Sequence, residues 1–292
     1  MTAVTVRAQQ VGQQPPPQPI KAVPVRRYGQ WVSALVVAVL AAALVASLAA
    51  NDNIEYSVVG QYLTAETVMH GLLVTFELTA IGMALGIVIG VLVAVARMSS
   101  NRVLTAVAGF YVWFFRGVPL LVQLVIWGNF ALLFPRLGLG IPFTDVMFFS
   151  ADTNVVLTTF VAACLGLGLN EGAYMAEVVR GGILGVDRGQ AEAATALGMG
   201  GATAMRRIIL PQAFRLIIPP TGNQLITLLK SSSLVSVIAG GELMTSVTDI
   251  ASVNFRTIEM LIVASFWYLV IVSVLSVGQR LLERRASRGH AH

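Results

Sequence analysis

The side chains able to do acid–base, nucleophilic or metal chemistry are few: one cysteine, three histidines and fourteen carboxylates in 292 residues. Cys164 lies in an apolar run and, being alone, excludes an intrachain disulfide and any multi-cysteine metal site. His290 and His292 stand at the end of the chain, and His70 stands beside a long apolar run. None has a nucleophile or carboxylate placed to make a triad or a zinc site. There is no Gly-x4-Gly-Lys-Ser/Thr phosphate-binding loop. No catalytic residue, metal ligand or cofactor is therefore assigned to this chain.

What remains is the chemistry of polar groups in apolar surroundings. Glu77, Gln123, Asn170, Glu171, Asn223, Gln224, Lys230 and Glu242 all fall in or beside long apolar runs. In lipid such groups are costly unless they are paired or functional. A second motif stands in a polar stretch: Glu192-Ala193-Ala194, three residues, Gly198, nine residues, then Ile208-Ile209-Leu210-Pro211. Residues 192–197 are good helix formers. Gly198, Gly200 and Gly201 allow a sharp turn. A second short helix is expected from about Ala202 to near Pro211. Taken alone, this hairpin either inserts into a groove of a partner protein or is a plain connector.

The elements that carry these residues follow from composition. Hydrophobic types make up 56% of the chain, charged types 11%, and mean hydropathy is +0.79. Soluble domains are about a quarter charged, so an ordinary soluble enzyme is excluded. The expectation is an all-α, polytopic membrane protein of about six transmembrane helices.

Residues 1–30, with their glutamine and proline runs, read as a disordered tail. Residues 31–50 read as a first crossing, or alternatively as a cleavable signal peptide ending near Ser47 and Ala49. Further crossings are expected at about 68–96, 118–134 (with Pro119 in its first turn), 154–179, 219–241 and 258–277. Residues 98–117 read as an amphipathic segment at the inner face. Residues 135–152 read as an outer loop, residues 181–218 as the long inner loop, and residues 279–292 as a basic tail. No strand is expected, because the apolar runs are too long for barrel strands and do not alternate. Gly82, Gly86 and Gly90, four apart, put three glycines on one helix face for close packing.

Charge sets the orientation. With both termini in the cytoplasm, Arg136 and Arg256 are the only basic residues outside and Lys230 lies within a crossing. The other sixteen of the nineteen Lys and Arg fall inside, a strong positive-inside bias.

The spacing of the Glu192–Pro211 motif matches the signature of the membrane subunit of bacterial ABC importers. The chain resembles that family's polar-amino-acid branch, the permeases for histidine, arginine, glutamine and glutamate. Further segments carry the resemblance: Phe115-Arg116-Gly117-Val118-Pro119-Leu120-Leu121-Val122-Gln123; Asn170-Glu171-Gly172-Ala173-Tyr174 with Ala176-Glu177 and Arg180-Gly181-Gly182; and Ser233-Leu234-Val235-Ser236-Val237-Ile238. Together they span residues 68–278, which implies the five-helix type I importer core. The crossing at 31–50 and its tail are extra. The branch usually has an acidic residue after the lysine at 230, whereas Ser231 stands here.

The resemblance implies a permease subunit of an ATP-driven importer for a polar L-amino acid, in the bacterial cytoplasmic (inner) membrane. Its partners would be ABC ATPase subunits, an extracytoplasmic solute-binding protein, a second permease subunit (a copy or a similar chain) and membrane lipid. ATP and Mg would sit on the partner ATPase, and nucleic acid is not expected. Glu192, Ala193, Ala194, Gly198, Ile208, Leu210 and Pro211 would couple to the ATPase. Gly198 would make the bend and Pro211 fix the exit. Glu77, Gln123, Asn170, Glu171 and Lys230 would line the solute pathway, Lys230 meeting a carboxylate and Glu77 or Glu171 an ammonium. The alternatives are that these groups pair with one another to hold helices together, and that the chain is a self-contained, ion-gradient-driven secondary carrier.

Overall fold

The computed structural model describes residues 28–141 and 147–287. The expected tail up to residue 27 and the last five residues of the expected basic tail lie outside the described residues. The chain divides into two units, Met1–Asn53 and Ile54–His292. The first contributes one described helix, α1 (Tyr28–Ala49), with no residue buried within its unit. At 22 residues it is about 33 Å long, enough to cross a hydrocarbon layer of about 30 Å.

The second unit begins with α2 (Tyr56–Tyr62) and the long α3 (Glu66–Arg97). It continues through α4 (Arg102–Gly117), α5 (Leu120–Gly128) and α6 (Phe130–Leu133). A hairpin of β1 (Arg136–Gly140) and β2 (Met147–Asp152) leads to α7 (Thr153–Val156) and α8 (Thr159–Leu184). Then come α9 (Arg188–Ala196), α10 (Gly201–Ala204), a π-helical turn (Met205–Ile209) and α11 (Leu210–Ser231). A 3-10 segment (Ser232–Ile238), α12 (Leu243–Asn254) and α13 (Thr257–Ser287) complete the unit.

The centre is the packing of α3 on α8. A Cβ on Gly86 would stand 2.6 Å from Cγ of Glu171, and one on Gly90 2.9 Å from the backbone N of Ala176. The relation is reciprocal. A Cβ on Gly168 would meet Leu85 at 2.8 Å, and one on Gly172 would meet Ile89 at 2.7 Å. Each helix therefore lends the other its glycines, and the expected glycine face is a helix–helix contact. Leu78, Leu124, Leu167, Met175, Leu228 and Val235 form the core around this pair. A second core joins α2, α3, α12 and α13 through Val59, Val68, Leu243, Val247, Met260 and Val263.

Four features differ from the sequence expectation. First, strands are present: β1 and β2 pair antiparallel, Arg136 opposite Asp152 and Gly138 opposite Ser150. The ladder is supplemented across the strands by Arg136 Nε, which donates to Ser150 Oγ at 2.8 Å.

Second, residues 118–134 are not one helix. Pro119 disfavours helix at the preceding residue, and Val118 is extended (φ −88°, ψ 128°). As a result α5 departs from α4 at 98°. Its nine residues reach about 14 Å, less than half the hydrocarbon thickness.

Third, Pro211 does not end its helix. It falls in the first turn of α11, directly after a π turn, with helical backbone on both sides. The π turn just before it bonds Leu210 N to Met205 O and carries the chain past. The helix then continues through Pro219 and Pro220.

Fourth, the region after α11 contains a helix that was not expected, α12. It is set off by Ala239 (φ 54°) and Gly241 (φ 75°) and bent 44° from the preceding segment. Glu242 caps it, accepting from Met244 N at 2.6 Å and Thr245 N at 2.9 Å. Thr75 Oγ1 of α3 accepts from Leu243 N at 3.1 Å.

Among the described residues α1, α3 and α13 are long and apolar enough to cross a membrane, and each bent pair is so if counted as one span. With the 26-residue α8, this is consistent with about six crossings.

Candidate functional site

The elbow between α8 and α11 is built by local rules. Asp187 opens α9 by accepting from Gly189 N at 2.6 Å. Gly198 closes it in the left-handed region (φ 74°). Gly198 N donates to Thr195 O at 2.9 Å and Met199 N to Ala194 O at 3.0 Å. These are the paired bonds of a glycine-terminated helix end, so Gly198 makes the bend its position suggested. Ala194 and Ala204 are the buried contacts of the elbow. Glu192, Ala193 and Pro211 are exposed, and Ile208 and Leu210 are half-buried. Gln212 Nε2 donates to Gln190 Oε1 at 3.3 Å, tying α9 to α11.

Leu197, which the motif reading passed over, is 80% exposed at the turn. Beside Gly198, it leaves the apolar tip of an otherwise polar elbow in the open.

The polar groups of the apolar helices fall into three sets. Gln123 and Asn170 converge. Gln123 Nε2 donates to Phe115 O at 3.0 Å and Val118 O at 2.8 Å, and Asn170 Nδ2 donates to Phe115 O at 2.9 Å. Both therefore bond carbonyls freed where α4 breaks, and Tyr111 Oη adds a bond to Leu169 O at 2.6 Å. Oε1 of the buried Gln123 has no partner among the described residues.

Glu171 stands apart, only 4% exposed, between Gly86 of α3 and Gln224 of α11. Its Oε1 is also unpartnered.

Glu77 and Lys230 are exposed and make no ion pair among the described residues. Lys230 continues a stripe on α11: Asn223, Thr227 and Lys230, spaced i, i+4, i+7, are all exposed. Leu228 packs at Gly82. Counting residues outward from that contact puts Glu77 and Lys230 within about one helical turn of the same height.

A fourth group was not recognised from sequence. Glu177 of α8 pairs with Arg97 at the end of α3, with Arg180 at 2.8 Å, and with Arg116 at the end of α4 at 3.9 Å. Arg116 also lies over the Tyr174 ring, 5.3 Å from its centroid. The available signal was that Arg97 and Arg116 stand at the ends of their helices and that Glu177 lies three residues before Arg180. At the opposite end of the unit, Arg256 joins Glu55 at 2.6 Å and Glu259 at 3.7 Å. Among the described residues no three His, Cys, Asp or Glu converge as a metal site would need.

Known proteins resemble this chain in sequence and fold. The arginine transport system permease protein ArgU of Corynebacterium glutamicum is 45% identical over 274 residues, 94% of this chain and 85% of that one. A match of that length cannot leave out α1. The arginine transport system permease protein ArtQ of Bacillus subtilis is 34% identical over 75% of this chain and 91% of its own. Among solved structures, the crystal structure of an amino acid ABC transporter with histidines has a chain 37% identical, TM-score 0.65, covering 75% of this chain and 94% of that one. A chain of the inward-facing MetNI methionine ABC transporter (22% identical, TM-score 0.59, 78% of this chain and 97% of that one) shares the fold. Residues 86–288 match the family described as the binding-protein-dependent transport system inner membrane component. A self-contained secondary carrier is thereby disfavoured, and the chain belongs to that family as the membrane permease subunit of an ATP-driven importer whose ATPase is a separate subunit.

Proposed function

We propose that the chain, paired with a second permease subunit, forms the passage for a polar L-amino acid into the cell. Relatives named for arginine, glutamine and L-cystine support that solute class. The observation that carries the coupling half of this reading is the elbow itself: a glycine-turned pair of short helices with Leu197 80% exposed at its tip. The ATPase receives that tip in a cleft, with Glu192 facing a basic residue there, while Ala193, Ala194, Ile208, Leu210 and Pro211 set the shape presented to it. ATP and Mg belong to that partner. An extracytoplasmic binding protein delivers the solute.

The orientation puts the elbow and the Arg97–Glu177–Arg116 end in the cytoplasm, together with both termini, in keeping with the positive-inside rule. Arg280 and Arg284 of α13 then lie at the anionic inner surface. The pathway is assigned to the exposed stripe of α11. Lys230 meets the solute carboxylate there, and Glu77, near the same height, meets its ammonium. Glu171, Gln123 and Asn170, buried or half-buried among the helices, are assigned to the same pathway.

Two experiments test the reading. Glu192→Lys and Leu197→Asp should each release the ATPase from membranes holding the assembled permease; full retention with normal uptake would remove the coupling role. In the complete importer, Lys230→Met and Glu77→Gln should raise the solute concentration needed for half-maximal uptake. If affinity held while assembly failed, these side chains would be packing partners instead.

A further inference from the structure

Glu177 occupies a singular place between the elbow and the rest of the helices. It lies two turns before the end of α8, and only residues 185–187 separate that end from α9. Its one carboxylate holds Arg97 of α3 and Arg180 of α8, with Arg116 of α4 at 3.9 Å. No other described carboxylate pairs with Arg97, Arg116 or Arg180.

The end of α4 is attached at two heights along α8. One turn of α8 holds it through Leu169 O, bonded by Tyr111, and through Asn170, bonded to Phe115 O. Glu177 holds it again, two turns nearer the elbow, through Arg116. Phe115 and Arg116 are consecutive, so the two anchors leave one end of α4 and splay over two turns of α8, which fixes that end in rotation as well as in position. The end of α4 is also where α5 departs at 98°, so whatever turns α4 swings α5.

We propose that Glu177 is a positioning residue that clamps the ends of α3 and α4 to α8, so that displacement of the elbow turns the α4–α5 bend rather than slipping past it. The proposal rests on the reading that the ATPase docks on the elbow, and its test is separable from that one. The four side chains are 24% to 45% exposed, and pairs so exposed add little to folding stability. A purely structural role therefore predicts mild, parallel losses. A clamp predicts normal docking with failed transmission.

The experiment compares complete importers in proteoliposomes: wild type, Glu177→Gln, Arg116→Gln, and the swap Glu177→Arg with Arg116→Glu. Three quantities are read: ATPase subunit retained on purification, ATP turnover, and solute taken up per ATP. For Glu177→Gln the expectation is full retention, ATP turnover within about twofold of wild type, and uptake per ATP down about tenfold, within the range for one residue in a coupling network. Arg116→Gln should give a smaller drop in the same ratio, and it serves as the arm if Glu177→Gln fails to assemble. The swap should recover part of the ratio. Unchanged uptake per ATP in Glu177→Gln or in Arg116→Gln overturns the proposal, as does a fall in uptake matched by an equal fall in ATP turnover. Loss of the ATPase subunit from Glu177→Gln with the swap unable to restore it also overturns it, because docking rather than transmission would then depend on this carboxylate.

Discussion

Asn170 and Phe115, 55 positions apart in the chain, are joined by a single hydrogen bond from Nδ2 to the carbonyl oxygen at 2.9 Å. The same carbonyl accepts from Gln123 at 3.0 Å. A helix end that breaks inside an apolar region leaves carbonyls without intrahelical partners, and these two side chains take the place of the water that lipid cannot supply.

Removing one donor leaves the carbonyl with the other. Asn170→Leu should therefore lower the stability of the detergent-purified permease by about 1 kcal/mol, as for other interhelical bonds in membranes. Gln123→Leu also strips Val118 O of its only described side-chain donor and should cost more. Thermal unfolding of the two variants checks the order; equal midpoints would mean that the bend is held by packing alone.

The contact of α3 with α8 predicts a graded response to added carbon. A Cβ on Gly90 would stand 2.9 Å from the backbone of Ala176 and of Met175, which cannot rotate away. Gly90→Val should destabilise by about 1–3 kcal/mol, the range for overpacking. A Cβ on Gly109, in α4, would meet nothing within 4 Å, and Gly109→Ala should be neutral or stabilising, since Ala is the better helix former by about 1 kcal/mol. Paired thermal melts test both.

Gly198 predicts a conformational effect without a steric one. A Cβ there would likewise stand in open space, yet φ is +74°. An L side chain in that region is disfavoured by about 1–2 kcal/mol. Gly198→Val should leave the helices in the membrane folded, unwind the turn after α9, and weaken ATPase capture. Asn, which tolerates left-handed backbone, should preserve most of the capture. Copurification of the ATPase with each variant distinguishes them, and equal capture by Val and Asn would show that the turn is not needed.

Glu242 predicts a capping effect at the bend before α12. Its carboxylate accepts from Met244 N, Thr245 N and Thr245 Oγ1, and the side chain is fully buried. Glu242→Ala should cost about 1–2 kcal/mol, as for other N-caps, and should raise amide hydrogen exchange in the first turn of α12. Unaltered exchange there would assign the cap to Thr75 instead.

Much of this was legible in the residues. The glycine spacing at 82, 86 and 90 is a local pattern with one packing consequence, and Gly198 sits where only a turn fits. The bend at Pro119 could be anticipated as a boundary, since proline constrains its predecessor, but not its 98° angle or the bond to Phe115 O from Asn170, 51 positions after the proline. Helix α12 was hidden because its sequence, with Thr245, Ser246, Thr248, Asp249 and Ser252, is as polar as a loop. Its stability comes from a cap and from contacts with α3 and α13. The hairpin was hidden for the opposite reason: Arg136–Gly140 is short and holds two glycines, so its pairing is backbone chemistry that no periodicity announces. Glu177 was visible as a charge but not as a meeting point, because its partners come from three helices.

The mutual glycines of α3 and α8 also bear on how the protein is made. With Asn170, Glu171, Glu177 and Arg180 along one helix, α8 is a poor candidate for release into lipid by the translocon as a solitary segment, since one ionised group near a helix centre is unfavourable by about 3 kcal/mol. Its predecessor α3, apolar and 32 residues long, is already synthesised when α8 emerges, and offers the grooves into which Glu171 and Met175 fit. Biogenesis should therefore be a paired event, in which the nascent α8 leaves the channel only by joining α3.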